Sequence, residues 1–410
     1  MLRTYSCDLA RHELIQRTLA APHVDGFIGF MVEAGYRLPT VRRYVHAAAH
    51  VSYWLRHRRK SLAELSMEQI GKFKQHLSCC HCAGYEKSNE LHARGAHLFL
   101  RHLQKMNVVS MPVPKAMPPL YSGFCQWLQE HRGAKKQTLN AYGRIVMDAL
   151  QALGEDPQQY SPANLRTYVL DRAPRQGRSK AKLVVTTLRT FIRYLIAQGL
   201  CPVGLDGAIP TIAGWRLASL PPYLPAADVE RILATCDLGT ARGARERAIL
   251  LLLARMGLRV GDLCDMRLND IDWEQATLRL SGKSHRDVRL PLSQEVGDAL
   301  LHYLTTARPK TSCNRVFLRK LPPLTGAINP SGIARSIQRS MERAGVSASR
   351  HGTHLLRNSA ATSLLGQGAS LQSIAVLLRH NSLDTTTRYA KVDIKLLRQL
   401  ARPWPEVSPC

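Results

Sequence analysis

Six residues in the C-terminal part of this 410-residue chain could together act on a phosphate. Arg259 stands in Gly257-Leu258-Arg259-Val260-Gly261-Asp262-Leu263, and Lys283 follows Gly282. His354 and Arg357 bound His354-Leu355-Leu356-Arg357, His380 ends Leu377-Leu378-Arg379-His380, and Tyr389 ends Thr387-Arg388-Tyr389. Two guanidiniums can clamp non-bridging phosphate oxygens bidentately and neutralise charge that develops in a transition state. His and Lys can move protons to and from bridging oxygens, and Tyr can attack as a covalent nucleophile. Order and spacing make this array informative, since each residue alone would pass for an ordinary surface or core side chain.

The elements that must position these groups follow from periodicity. His354 and Arg357 are three residues apart, so on a helix they project from one face toward one ligand. Thr277–Ser281 and Asp287–Leu292 alternate with period two across Gly282-Lys283-Ser284-His285, which predicts a hairpin with Lys283 at its turn. Ala227–Cys236 and Ala244–Met256 read as helices, and helix returns from Ser331 onward. Upstream, two segments look like copies of each other. Gly35, Thr40 and Tyr44 recur at the same spacing as Gly133, Thr138 and Tyr142, and Phe99-Leu100-Arg101-His102-Leu103 parallels Phe191-Ile192-Arg193-Tyr194-Leu195. Each copy predicts a small helical bundle, with Thr40 and Thr138 as N-caps of the Tyr-bearing helices. Pro-rich stretches at 111–119 and 201–225 mark boundaries. The predicted architecture is multidomain. Two mainly α helical bundles (1–110 and 118–200) are followed by a linker (201–224), a mixed α+β catalytic domain (225–392) and a tail (393–410).

Composition narrows the partners. Lys+Arg number 57 against 30 Asp+Glu, a net charge of +27 that calls for a polyanion. The longest apolar run, Ala248–Ala254, is far shorter than the ~18 residues of a membrane span. Met1–Cys7 carries no apolar signal-peptide core, which points to the cytoplasm. Ten scattered Cys read as small buried hydrophobes in a reducing compartment, not as a disulfide framework. Lys135, Lys136, Arg144, Arg175, Arg178, Lys180, Lys182 and Arg189 give the second bundle the charge to bind a nucleic-acid backbone.

With that array on the page, the sequence resembles the tyrosine recombinases, or phage integrase family, from Leu220 to about Val392, and 118–200 resembles the family's core-binding domain. The resemblance implies double-stranded DNA with inverted-repeat sites as partner, and an enzyme that cleaves and rejoins it through a 3′-phosphotyrosyl link, without ATP or a divalent metal and with no cofactor. It assigns Tyr389 as nucleophile and Arg259, Arg357 and His380 to the phosphate. Lys283 is the acid for the leaving 5′ oxygen, His354 aids proton transfer, and Asp262 orients the site. It further implies a tetramer of like or sibling recombinases, and a mobile genetic element is the expected setting. Accessory DNA architecture and type IB topoisomerase-like relaxation are the alternatives.

This sequence departs from the family at Asn358, where a second His is common, and in having the first bundle at all. Two further features lie outside the resemblance or at its edge. Cys79, Cys82, His92 and His97 form a zinc-like set on spacing alone. Ile394, Leu396, Leu397 and Leu400 predict a short apolar-faced tail helix that docks on a partner or packs in cis.

Overall fold

The computed structural model describes residues 9–85, 90–111, 117–175, 177–213, 220–281, 287–319, 322, 326–348, 352–380, 382–392 and 398. The chain separates into two compact units. Pro112–Ala218 forms one, and Met1–Met111 together with Ser219–Cys410 forms the other. Three large hydrophobic cores are distinct, spanning residues 15–109, 124–209 and 224–356.

In the first bundle, α1 (Leu9–Gln16), α2 (Ala21–Glu33), α3 (Leu38–His57), α4 (Met67–Leu77) and α5 (Glu90–Lys105) pack around α3. Val41, Val45, Ala48, Ser52 and Leu55 recur every three or four residues, so one face of α3 is buried. The second bundle holds α6 (Pro119–Arg132), α7 (Lys136–Leu153), α8 (Pro162–Arg172) and α9 (Arg178–Ala197), with Ala181, Val184, Leu188, Phe191 and Leu195 on the core face of α9.

The expected repeat is visible inside each bundle. Phe27 meets Phe99 edge-on at 5.1 Å in the first, and Phe124 meets Phe191 edge-on at 5.3 Å in the second. Gly35 and Gly133 both hold positive φ before the Tyr-bearing helix. The Thr caps are a correction. Arg37 and Lys135 occupy the N-cap positions without side-chain bonds, and Thr40 and Thr138 lie one turn inside α3 and α7. The sharp turn at the preceding glycine starts each helix earlier than a cap-based reading allows. The linker is also shorter than expected. Cys201, Leu205 and Ile209 are buried in the second core, because apolar side chains after α9 fold back onto it.

The C-terminal segment is built on α11 (Ala241–Ala254), which follows α10 (Ala226–Ala234). The apolar run Ala248–Ala254 is buried on all sides of α11, so it is a core helix. Glu246, on the same helix, is 3% exposed. Desolvation would raise its pKa, but hydrogen bonds from Arg242, Ser336 and Arg343 outweigh it and hold the carboxylate below its usual range. Next come α12 (Val260–Asp265) and an antiparallel sheet of β1 (Ile271–Asp272), β2 (Thr277–Ser281) and β3 (Asp287–Pro291) in that order. The predicted hairpin is β2–β3, with Ser281 opposite Asp287, and β1 adds a third strand. The remaining helices are α13 (Gln294–His302), α14 (Pro330–Arg343), α15 (Thr353–Gly366), α16 (Leu371–Leu377) and α17 (Thr387–Ala390). No helix among the described residues is long and apolar enough to cross a membrane. The predicted tail helix falls outside the described residues except for Arg398.

Candidate active site

Three backbone features bring the distant motifs together. Gly257 adopts φ +59° between α11 and α12, a left-handed conformation that glycine takes without strain. The turn aims the Gly257 carbonyl at α15, where it accepts a hydrogen bond from Arg357 Nη1, while Arg357 Nη2 donates to the Leu378 carbonyl at the end of α16. Arg259 Nη2 donates to the Arg379 carbonyl at 2.6 Å. Both guanidiniums are therefore fixed by carbonyls, and neither is ion-paired to a carboxylate among the described residues. Asp262 accepts from the Arg259 backbone N–H at 2.9 Å and pairs with Arg379, so its charge is directed there.

The electrostatic consequence is a desolvated cation cluster. Arg357 is 5% exposed, and burial followed by the like charge of Arg259 brings its pKa down to about 10. Burial and then Arg379 lower that of Arg259. His380 is lowered to about 4 by desolvation and then by Arg357 and Arg259, so the ring is neutral near pH 7. The same causes lower His354, which stands one turn before Arg357 on α15. An anion entering this space would offset the mutual repulsion of these cations and favour their charged forms.

Tyr389 lies beside the cluster. Its ring is 2% exposed and packs with Ala361, Ile374 and Leu378. Its ring lies nearly parallel to His380 with centroids 6.4 Å apart. The phenol donates to Asn358 Oδ1 at 3.0 Å, and Asn358 Nδ2 in turn donates to the Pro222 carbonyl at 2.9 Å. Burial raises the phenol's pKa, against the lowering charges of Arg388 and Arg357. His380 Nδ1 lies 2.7 Å from the hydroxyl of the fully buried Thr386, which ties the end of α16 to the start of α17.

Of the expected residues, Arg259, Asp262, His354, Arg357, His380 and Tyr389 converge. Lys283 falls in 282–286, between β2 and β3 in sequence and outside the described residues. Two participants escaped the sequence reading. Arg379 sits at φ +52° with its side chain 7% exposed, bonded to Asp262, and its Nε and Nη1 have no partner among the described residues. Its place in Leu-Leu-Arg-His was visible, but its backbone conformation was not. Thr386 carried no signal beyond its nearness to Tyr389. Gly257→Ala would place a Cβ 2.5 Å from Leu378 Cδ2 in a backbone conformation unfavourable to alanine. A loss of about 1–3 kcal/mol is expected from urea unfolding, since strain of this kind is concentrated at one turn.

Residues 222–395 match the phage integrase family. The integrase/recombinase y4rA of Sinorhizobium fredii is 34% identical over 394 residues, 94% of each chain. The chain belongs to the tyrosine recombinases of the phage integrase family. A second member, the tyrosine recombinase XerC of Lactobacillus delbrueckii subsp. bulgaricus, is 30% identical over 67% of this recombinase and 94% of its own length. Among solved structures, XerH bound to palindromic difH substrate shares the fold with TM-score 0.56 at 18% identity, over 82% of this chain and 95% of that one. A lambda integrase dimer bound to a COC′ core site does so with TM-score 0.53 at 18% identity, over 72% and 99%. The match to y4rA takes in most of the first bundle of this recombinase, the part that lies outside the resemblance read from sequence.

In the second bundle of this recombinase, Lys135, Lys136, Arg144, Arg175, Arg178 and Lys180 are exposed and Lys182 is half-buried. Arg189 is instead engaged within the unit, donating to the Ile209 carbonyl at 2.8 Å.

Proposed function

We propose that the chain is a site-specific DNA recombinase that cleaves one strand through Tyr389 and rejoins it to a new partner. The observation that carries this reading is the convergence of Arg259, Arg357, His354 and His380 beside Tyr389, with the two guanidiniums fixed and unpaired with any carboxylate among the described residues. The Tyr389 oxygen attacks phosphorus, a bond from phosphorus to Tyr389 forms, and the bond to the 5′ oxygen breaks. Arg259, Arg357 and His380 hold the non-bridging oxygens as charge builds on them. Lys283 gives its proton to the departing 5′ oxygen, and His354 assists proton transfer. The 3′-phosphotyrosyl bond keeps the energy of the broken link, so attack by a 5′-hydroxyl from a second duplex reverses the steps. Exposed lysines and arginines of the second bundle supply sequence-independent backbone contacts. The expected partners are inverted-repeat sites bound by an oligomer, a tetramer of like or sibling chains, and a mobile genetic element is the expected setting.

The test is recombination between two duplexes carrying a site enriched from a random DNA pool by the protein itself. Recombinant product supports the reading. Site-independent relaxation of supercoiled plasmid by a monomer would replace it with topoisomerase-like activity, and binding without any strand cleavage would replace it with an architectural role. The acid is tested separately. Lys283→Ala slows cleavage of a normal 5′ leaving group by about 10²–10⁴-fold, and a 5′-bridging phosphorothiolate, whose thiolate needs no proton, restores most of the rate. Equal slowing on both substrates would remove Lys283 from that role.

A further inference from the structure

The first bundle holds a cluster of ligand-type side chains that the recombination chemistry does not use. His50 of α3, His76 of α4, and Cys80 and Cys82 of the loop after α4 place one ligand atom each, all within 4.8 Å of one another. His50 Nε2 lies 3.3 Å from Cys80 Sγ, and His76 Nε2 lies 3.3 Å from Cys82 Sγ. A zinc tetrahedron built from Zn–S and Zn–N bonds of ordinary length has S···N edges of about 3.5 Å, so these separations need little adjustment. The set expected from spacing, Cys79, Cys82, His92 and His97, is thereby corrected, with Cys82 alone retained. Cys79 is exposed and its thiol faces the carbonyls of Gln75 and His76. His92 instead pairs with His46 at 3.3 Å. His50 lies on α3, far upstream in sequence, where no local motif could announce it.

We propose that His50, His76, Cys80 and Cys82 bind one structural zinc ion. Two imidazoles and two thiols whose ligand atoms lie within 4.8 Å of one another supply the donor set that zinc takes in closed structural sites. The surroundings are arranged for it. The Cys82 backbone N–H points at Cys80 Sγ, at 3.4 Å, the hydrogen bond that stabilises a sulfur in its thiolate form. The His50 ring is fully buried, stacked on Tyr85 at 4.2 Å and met edge-on by Phe73 at 5.1 Å, so its orientation is set before any ion arrives. Cys80 is also buried, and four protein ligands fill a tetrahedron, which leaves no open coordination position for chemistry and gives the ion a fastening role. It would fasten the loop after α4 to α3. The site is independent of Tyr389 and its reaction.

The experiment uses the full-length chain purified without a polyhistidine tag. Elemental analysis should give about one zinc per chain, and Cys80→Ser/Cys82→Ser should fall below about a tenth of that. Cys79→Ser and His97→Gln should keep the metal. Should the double variant fail to fold, cobalt(II) exchanged into the wild-type chain gives the reading, with the visible bands of tetrahedral cobalt and a thiolate-to-cobalt charge-transfer band. A wild-type chain that carries no zinc and takes up no cobalt would overturn the site, leaving two isolated Cys–His hydrogen bonds. Zinc retained by the double variant would overturn it equally.

Discussion

Tyr389→Phe binds its DNA site as tightly as the native chain and yields no covalent protein–DNA complex on a nicked suicide substrate. Removing one oxygen takes away the nucleophile while leaving the ring among Ala361, Ile374 and Leu378, so packing is kept. The change does leave Asn358 Oδ1 without its 3.0 Å donor, a cost of about 1–3 kcal/mol of stability. Binding and adduct formation must therefore be measured on the same folded sample. Binding depends on many dispersed cations, and Tyr389 carries no charge, so the affinity and its salt dependence stay where they were. Adduct formation by the phenylalanine variant would move the nucleophile to another residue. The Asn358 bond also says what must change in the native enzyme. The phenol points inward on Asn358, so attack on phosphorus requires that hydrogen bond to be released.

Arg357→Lys is expected to slow cleavage by about 10²–10³-fold, the usual loss when one preorganised charge-stabilising donor is removed from a water-poor site. Charge is conserved in this substitution, so what is lost is geometry. The planar fork of Arg357 reaches the Gly257 and Leu378 carbonyls at once and still presents N–H groups to the cluster, which a single ammonium cannot do. Equilibrium binding should change by less than about the equivalent of one phosphate contact, roughly 0.9 in the salt slope. Single-turnover cleavage against binding, measured across a salt series, separates these. A lysine variant that cleaves at the native rate would mean that Arg357 serves only to pin the Gly257 turn to α16.

The candidate array was legible in the sequence because the proposed chemistry restricts residue type at every position. Few arrangements place Arg, Lys, His, Arg, His and Tyr in that order for another purpose, and the structure brings five of the six together. The bundles and the β2–β3 hairpin were legible from periodicity of three to four and of two. What was not legible depends on backbone conformation or distant contacts. β1 has two residues, too few to show alternation. Arg37 and Lys135 start their helices without a capping side chain, so no Ser, Thr, Asn or Asp marks the boundary. Leu205 and Ile209 read as linker because the core that buries them is formed by helices elsewhere in the chain. Arg379 is placed by a positive φ that its residue type does not announce. His50 is linked to Cys80 only by the packing of α3 against the loop after α4.

The central claim is that Tyr389 carries the broken strand. It is tested most directly by trapping the native chain on a nicked duplex bearing its enriched site, digesting the adduct, and mapping the nucleotide-bearing peptide by mass spectrometry. The account predicts a single modified residue, Tyr389, linked to the 3′ phosphate of the cleaved strand. A linkage through a 5′ phosphate, or a nucleotide on any other residue, would contradict it.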